Sequence, residues 1–199
     1  MGYKQLLPHN RGFEEGATVS WDDFSVTRTN PNGTYGLSTD DGCGSLRSGW
    51  IRASRAYTRD AFDITVTVRT NAVIAVPGGR YRASVCHKNI EFYRSGSAVT
   101  KQSSVYVEFY NSTGGLISSS DIIVIVSNNT VTDWATYTLD NITAPATAAT
   151  AKVAAKVRLA KPDTDPAQSG DVKAGIDNFS FEQYLEQGGA VDLSGYGVA

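Results

Sequence analysis

Cysteine and histidine are scarce in this chain of 199 residues, which holds only Cys43 and Cys86, His9 and His87. There is no Cys-x-x-Cys and no histidine pair at ligand spacing, so a zinc site built from side chains is not expected. Two cysteines do not make a disulfide framework. A Cys43–Cys86 bridge and two free thiols both stand as readings, and free thiols are the simpler one. Long hydrophobic runs are also missing: nothing approaches the ~20 apolar residues that span a bilayer. The opening Met-Gly-Tyr-Lys-Gln-Leu-Leu-Pro lacks the apolar centre of a secretory leader. Charge of one sign is never concentrated. The 18 Lys and Arg and 20 Asp and Glu are spread along the chain, so neither nucleic acid nor membrane is expected as a partner. Neither a glycine-rich phosphate loop ahead of a helix nor a Gly-x-Ser-x-Gly turn occurs. The carboxylates, among them Asp22-Asp23 and Asp40-Asp41, mark out no facing pair of the kind a glycosidase uses. A non-catalytic protein is expected.

What the chain does have is alternation. Phe62, Ile64, Val66 and Val68 interleave with Asp63, Thr65, Thr67 and Arg69, a strand with one apolar and one wet face. The alanine-rich stretch favours helix by propensity. Yet Ala151, Val153, Ala155, Val157 and Leu159 alternate with Lys152, Lys156 and Arg158, so period two predicts a strand there as well. Further strands are expected at 12–15, 19–27, 46–53, 80–88, 103–111, 122–126, 134–139 and 174–183. Loops are expected at 30–45, 89–102 and 161–173, where turn formers gather. No convincing helix and no repeat appears. At 41% hydrophobic residues, one sizeable core is within reach.

Two short stretches carry a resemblance. Asn10-Arg11-Gly12-Phe13-Glu14 near the start and Gly175-Ile176-Asp177-Asn178-Phe179 near the end resemble the first and last strands of the galactose-binding-like jelly-roll carbohydrate-binding modules of the family 4 and 9 type. Pro77-Gly78-Gly79-Arg80-Tyr81 and the Trp134…Tyr137 strand are similar to further marks of that family, with one residue extra in the first. The resemblance implies an all-β, jelly-roll sandwich of two antiparallel sheets. It also implies a structural calcium held by Glu14 and Asp177, with backbone carbonyls completing a shell of oxygen ligands.

Glycan contacts are expected in two places, because aromatic rings suit sugar C–H groups while charged side chains take the hydroxyls. One is the outward stripe Tyr106, Glu108 and Tyr110, with Arg82 from the preceding strand; the other is Trp50 and Tyr57 among Arg47, Arg52 and Arg55. Residues 1–9 read as an extended arm, 10–184 as the sandwich, and 185–199 as a glycine-rich tail. Val191, Leu193, Tyr196 and Val198 in that tail would dock on a partner. The function expected is a structural and binding component of a phage virion, a capsid decoration or tail protein. It would assemble with other virion proteins or with its own copies and take a polysaccharide. The alternative is a carbohydrate-binding module of a secreted polysaccharide-degrading enzyme.

Overall fold

Alternating side chains and frequent turn formers give strands that bury one face, and two sheets stacked on those faces make the fold. The computed structural model describes residues 2–7, 24–39, 41–44, 47–96, 98–120, 123–125, 132–162 and 166–185. The described strands are β1 (Gly2–Gln5), β2 (Phe24–Arg28), β3 (Gly33–Ser38), β4 (Ser48–Thr58), β5 (Phe62–Thr70), β6 (Val73–Ile74) and β7 (Arg80–Arg94). They continue as β8 (Thr100–Tyr110), β9 (Leu116–Ser119), β10 (Ile123–Ile125), β11 (Ala135–Thr143), β12 (Thr150–Lys161) and β13 (Gln168–Leu185). No described residue is helical.

The first sheet runs β11-β7-β13-β4-β3, with β1 also on β13; the second runs β10-β8-β12-β5-β2, with β6 on β12 and β9 on β8. All pairings are antiparallel. The molecule is a jelly-roll β-sandwich, as the resemblance implies.

The core is the space between the sheets. Ile64, Val66 and Val68 of β5, Val153, Val157 and Leu159 of β12, and Val105, Val107 and Phe109 of β8 face Ile51, Val85, Val172, Ile176, Phe179 and Phe181 of the first sheet. Tyr81 stacks on Phe181, with ring centroids 4.9 Å apart, and its hydroxyl accepts the amide of Val76 at the turn before β7. At one end the interior turns polar. His87 Nε2 lies 2.6 Å from Ser103 Oγ, while His87 Nδ1 and both amide atoms of buried Asn89 have no hydrogen-bond partner among the described residues.

Several expectations need correcting. The stretch 30–45 is not wholly loop, because β3 runs inside it and pairs with β4 from Gly33↔Ala53 to Ser38↔Ser48. The loop expected at 161–173 is shorter, because β13 begins inside it at Gln168, and it carries the chain from one sheet to the other. On β13, both Ile176 and Phe179 point inward although simple alternation puts them on opposite sides. A bulge between Asp177 and Ser180, with Asn178 at φ 46°, supplies the residue that resets the register. The arm folds back on its own sandwich, with β1 paired to the end of β13 and Leu7 in the core. The strand expected at 12–15 and the tail 186–199 lie outside the described residues.

Candidate functional site

The outer face of the first sheet carries an unusual row. Gly36 of β3 pairs with Trp50 of β4, Trp50 with Gly175 of β13, and Gly175 with Lys88 of β7. Paired residues share a face, so this row crosses the sheet on its solvent side. The glycines are needed for space. A Cβ on Gly36 would stand 2.5 Å from Trp50 Cζ2, and one on Gly175 would stand 2.8 Å from Trp134 Cη2. Each indole fills the room that a side chain would take on a neighbouring strand, and both remain half-buried. Trp50 Nε1 donates to the Leu37 carbonyl at 3.3 Å, and Trp134 Nε1 donates to Asp41 Oδ1 at 2.9 Å. Ammonium groups attend both rings: Lys173 Nζ is 4.8 Å from the Trp50 centroid and Lys88 Nζ is 5.4 Å from that of Trp134.

The Trp134 end is held by residues 41–44. Asp41 accepts from Lys88 and Trp134, which hold its carboxyl below the usual carboxylate range, and its carbonyl accepts the Ser48 hydroxyl. Cys43 is bonded to Cys86 of β7, which corrects the free-thiol reading: β7 brings Cys86 beneath this segment, with Cα atoms 6.3 Å apart. The Cys43 amide donates to Asp177 Oδ2 at 2.9 Å, and Asn178 Nδ2 donates to the Cys43 carbonyl at 2.8 Å. The bulge on β13 thus turns Asn178 outward to grip the loop.

Beyond the row lies a charged cluster. Arg52 binds both oxygens of Asp171 and reaches Glu91 at 3.1 Å, and Ser54 donates to Asp171 at 3.1 Å. Tyr57, at the far end of β4, is 71% exposed. The patch of Trp50 and Tyr57 expected from the sequence is therefore open.

The other expected stripe is not. Tyr106, Glu108 and Tyr110 do point outward from β8, but Tyr106 is 6% and Glu108 4% exposed. Arg69 reaches across the small Ala154 to hold Glu108 through Nε at 2.7 Å and Nη2 at 3.0 Å, and the Tyr110 hydroxyl donates to the same carboxylate. Burial drives the Glu108 pKa up, but the Arg69 and Tyr110 hydrogen bonds outweigh it and the net shift is downward. Burial and the bond to Glu108 push the Tyr110 phenol up to about 12. These groups are committed to one another. Arg82 is also elsewhere: β7 and β8 belong to different sheets, and Arg82 pairs with Glu182 on the first.

Of the calcium pair, Glu14 lies outside the described residues. Asp177 is fully buried, and both its oxygens accept backbone amides, from Cys43 and from Asn178. Among the described residues no cluster of three or more His, Cys, Asp or Glu side chains could hold a metal. Asp177 alone does not make the oxygen cage that calcium needs.

Sequence reading missed Trp134, named only within one expected strand, and Gly175, which falls inside another. The signal available was a glycine inside an alternating strand, which marks close approach by another group.

No family model and no curated protein matches the chain. Solved structures do match its fold, and they define the class: a β-sandwich of the kind found in carbohydrate-binding modules. The enzymatically active domain of tailspike protein 4 of bacteriophage CBA120 superposes with a TM-score of 0.53 at 13% identity, over 83% of this chain and 20% of the tailspike chain. A carbohydrate-binding module of the β-sandwich superfamily, described for promiscuous specificity, gives 0.50 at 15% identity, over 89% and 62%. The CBM22-1 xylan-binding domain of Paenibacillus barcinonensis Xyn10C gives 0.51 at 12% identity, over 92% and 97%. The likeness supports the module-like jelly roll and not the narrower family 4 and 9 type. This chain spans only part of the tailspike chain and of the promiscuous module's chain.

Proposed function

We propose that the chain is a non-catalytic glycan-binding protein that takes a polysaccharide on the outer face of its first sheet. The observation that carries this reading is the row in which Trp50 and Trp134 are seated over Gly36 and Gly175. Glycine seats two strands apart hold the indoles about 10 Å from each other, with Arg52, Asp171 and Glu91 alongside to bond hydroxyls. Apolar ring area next to oriented polar groups is what a sugar requires. Among the described residues the second sheet offers no equivalent, since Tyr106 and Glu108 are buried and engaged.

The test is affinity electrophoresis against a panel of plant and bacterial polysaccharides. Trp50→Ala should abolish retardation by any polysaccharide that binds while leaving the melting temperature within a few degrees, because the ring lies outside the core. Retained binding in Trp50→Ala, with Glu108→Gln losing it instead, would move the site to the second sheet.

The protein's setting is proposed to be a phage particle, as a capsid decoration or tail component assembling with other virion proteins or with itself. The likeness to a tailspike domain supports this setting. A module of a secreted polysaccharide-degrading enzyme is the alternative that the xylan-binding likeness supports. Mass spectrometry of purified particles decides between them.

A calcium ion is part of the proposal only with Glu14 as a second ligand beside Asp177. Chelation would then lower the melting temperature, with a bound ion worth ~2.7 kcal/mol at a hundredfold excess over its dissociation constant. Identical melting curves with and without chelator would leave Asp177 as the anchor of the Cys43 loop and nothing more.

A further inference from the structure

We infer that the glycan is an extended chain laid along β4 and β13, and that a second aromatic contact, Tyr57 with Tyr93, receives it at the far end of the same face. This rests on the glycan-binding reading above and adds the ligand's shape and direction.

The register sets out the path. From the row of Trp50 and Gly175, the next outward positions along the strands are Arg52, Lys173 and Glu91, paired side by side. The positions after those are Ser54, Asp171 and Tyr93, again directly paired. Four residues of antiparallel strand separate Trp50 from Ser54, roughly 13 Å, which is longer than a single sugar ring. The ground between is polar: Asp171 binds Arg52 and Ser54, and Glu91 flanks the same guanidinium.

At the end of this path Tyr93 is 54% exposed, and Tyr57 is more exposed still. Together with Ser54, Arg55, Gly170 and Asp171 they line a pocket of about 320 Å³. The two open rings line the same pocket, so they present apolar area together rather than singly. Here their rings border carboxylate and hydroxyl groups, which is the surroundings a pyranose ring wants. Aromatic contacts at both ends, joined by a hydrogen-bonding strip, fit a linear oligosaccharide and would be wasted on a monosaccharide or a chain terminus.

The experiment takes the polysaccharide that retards the protein most and cuts it into a size-graded series of oligosaccharides, with binding followed by calorimetry. Affinity should rise with length and level off once both ends are reached. Tyr57→Ala and Tyr93→Ala should each weaken the long oligomers by about tenfold, the equivalent of 1.4 kcal/mol, and leave the shortest binding fragments unaffected. Both residues are exposed, so the variants should fold, and an unchanged circular dichroism spectrum checks that. A disaccharide that binds as tightly as the longest oligomer would overturn the inference and leave the glycan-binding function standing. So would long-oligomer affinity insensitive to both tyrosines. Absence of binding to every polysaccharide tested would remove the function itself.

Discussion

Acidification from pH 7 to pH 5 should cost this sandwich about 2 kcal/mol of stability, and about 3 by pH 4, chiefly through His87. Its ring is sealed between the sheets, with Nε2 on Ser103 and its edge against Tyr137, and burial lowers its pKa from 6.5 to about 3. The unfolded chain takes up a proton as pH falls through about 6.5, while the folded chain resists until about 3. Between those values the unfolded state binds more protons, so stability declines as pH declines. Asp41, Asp63 and Glu108 also have lowered pKa values, but their contribution is lost only below the unfolded carboxylate range near 4. The two effects therefore separate along the pH axis. Urea unfolding at intervals from pH 7.5 to pH 4 should show a slope approaching one proton below pH 6, absent in His87→Leu. A flat profile down to pH 5 in the parent protein would mean that the folded state protonates His87 freely.

Reduction of Cys43–Cys86 should have an effect of similar size on stability and should weaken binding as well. The bridge closes a loop of sequence separation 43, for which chain entropy gives about 4 kcal/mol at 25 °C. The local consequence is more specific. The segment that Cys43 anchors also carries Asp41, and Asp41 is the group that holds Lys88 and the Trp134 indole in place. With the bridge cut, the contacts left to the segment among the described residues are the Asp177 and Asn178 hydrogen bonds, the Ser48 contact and the Lys88 and Trp134 bonds to Asp41. Cys43→Ser with Cys86→Ala should melt well below the parent and lose the Trp134 part of the platform, visible as a change in tryptophan near-ultraviolet dichroism. Polysaccharide affinity should fall while Trp50 keeps part of it. A variant with full affinity and an unaltered aromatic spectrum would show that the loop holds its position without the bridge.

The strands built on strict alternation were legible in the chain. β5 and β12 bury Ile64, Val66 and Val68 and Ala151, Val153 and Val157 as period two requires, and the alanine-rich stretch followed its pattern rather than its propensity. What alternation cannot carry is the sheet to which a strand belongs. Arg82 and Tyr106 both point outward, as expected, but from opposite sides of the molecule, because the chain changes sheets between β7 and β8. Glycine caused the other misreadings. Gly33 and Gly36 look like loop residues, yet both lie in a strand, and Gly175 lies inside the strand expected for it with nothing to mark the group that packs on it. At Gly36 and Gly175 the missing side chain makes room for an indole that arrives from a neighbouring strand or from just outside the sheet. That information is held in the partner tryptophans, far away in sequence. The burial of Tyr106 and Glu108 was hidden for the same reason: it depends on Arg69 crossing Ala154, a relation between three strands.

The placement of β13 also governs the order in which the protein can be made. It is the last described strand, yet it lies between β4 and β7 and pairs with β1 as well. During synthesis, the first sheet therefore waits for its central member until residues 168–185 have left the ribosome. The second sheet meets no such delay, since β5, β8 and β12 all precede β13. Its apolar face is ready before the sheet that must cover it. Such long-range closure makes folding slow, on the order of milliseconds to seconds for sandwiches of this kind. In that interval the nascent chain exposes the inner side of β5, β8 and β12, which is when it most needs protection from association with other chains.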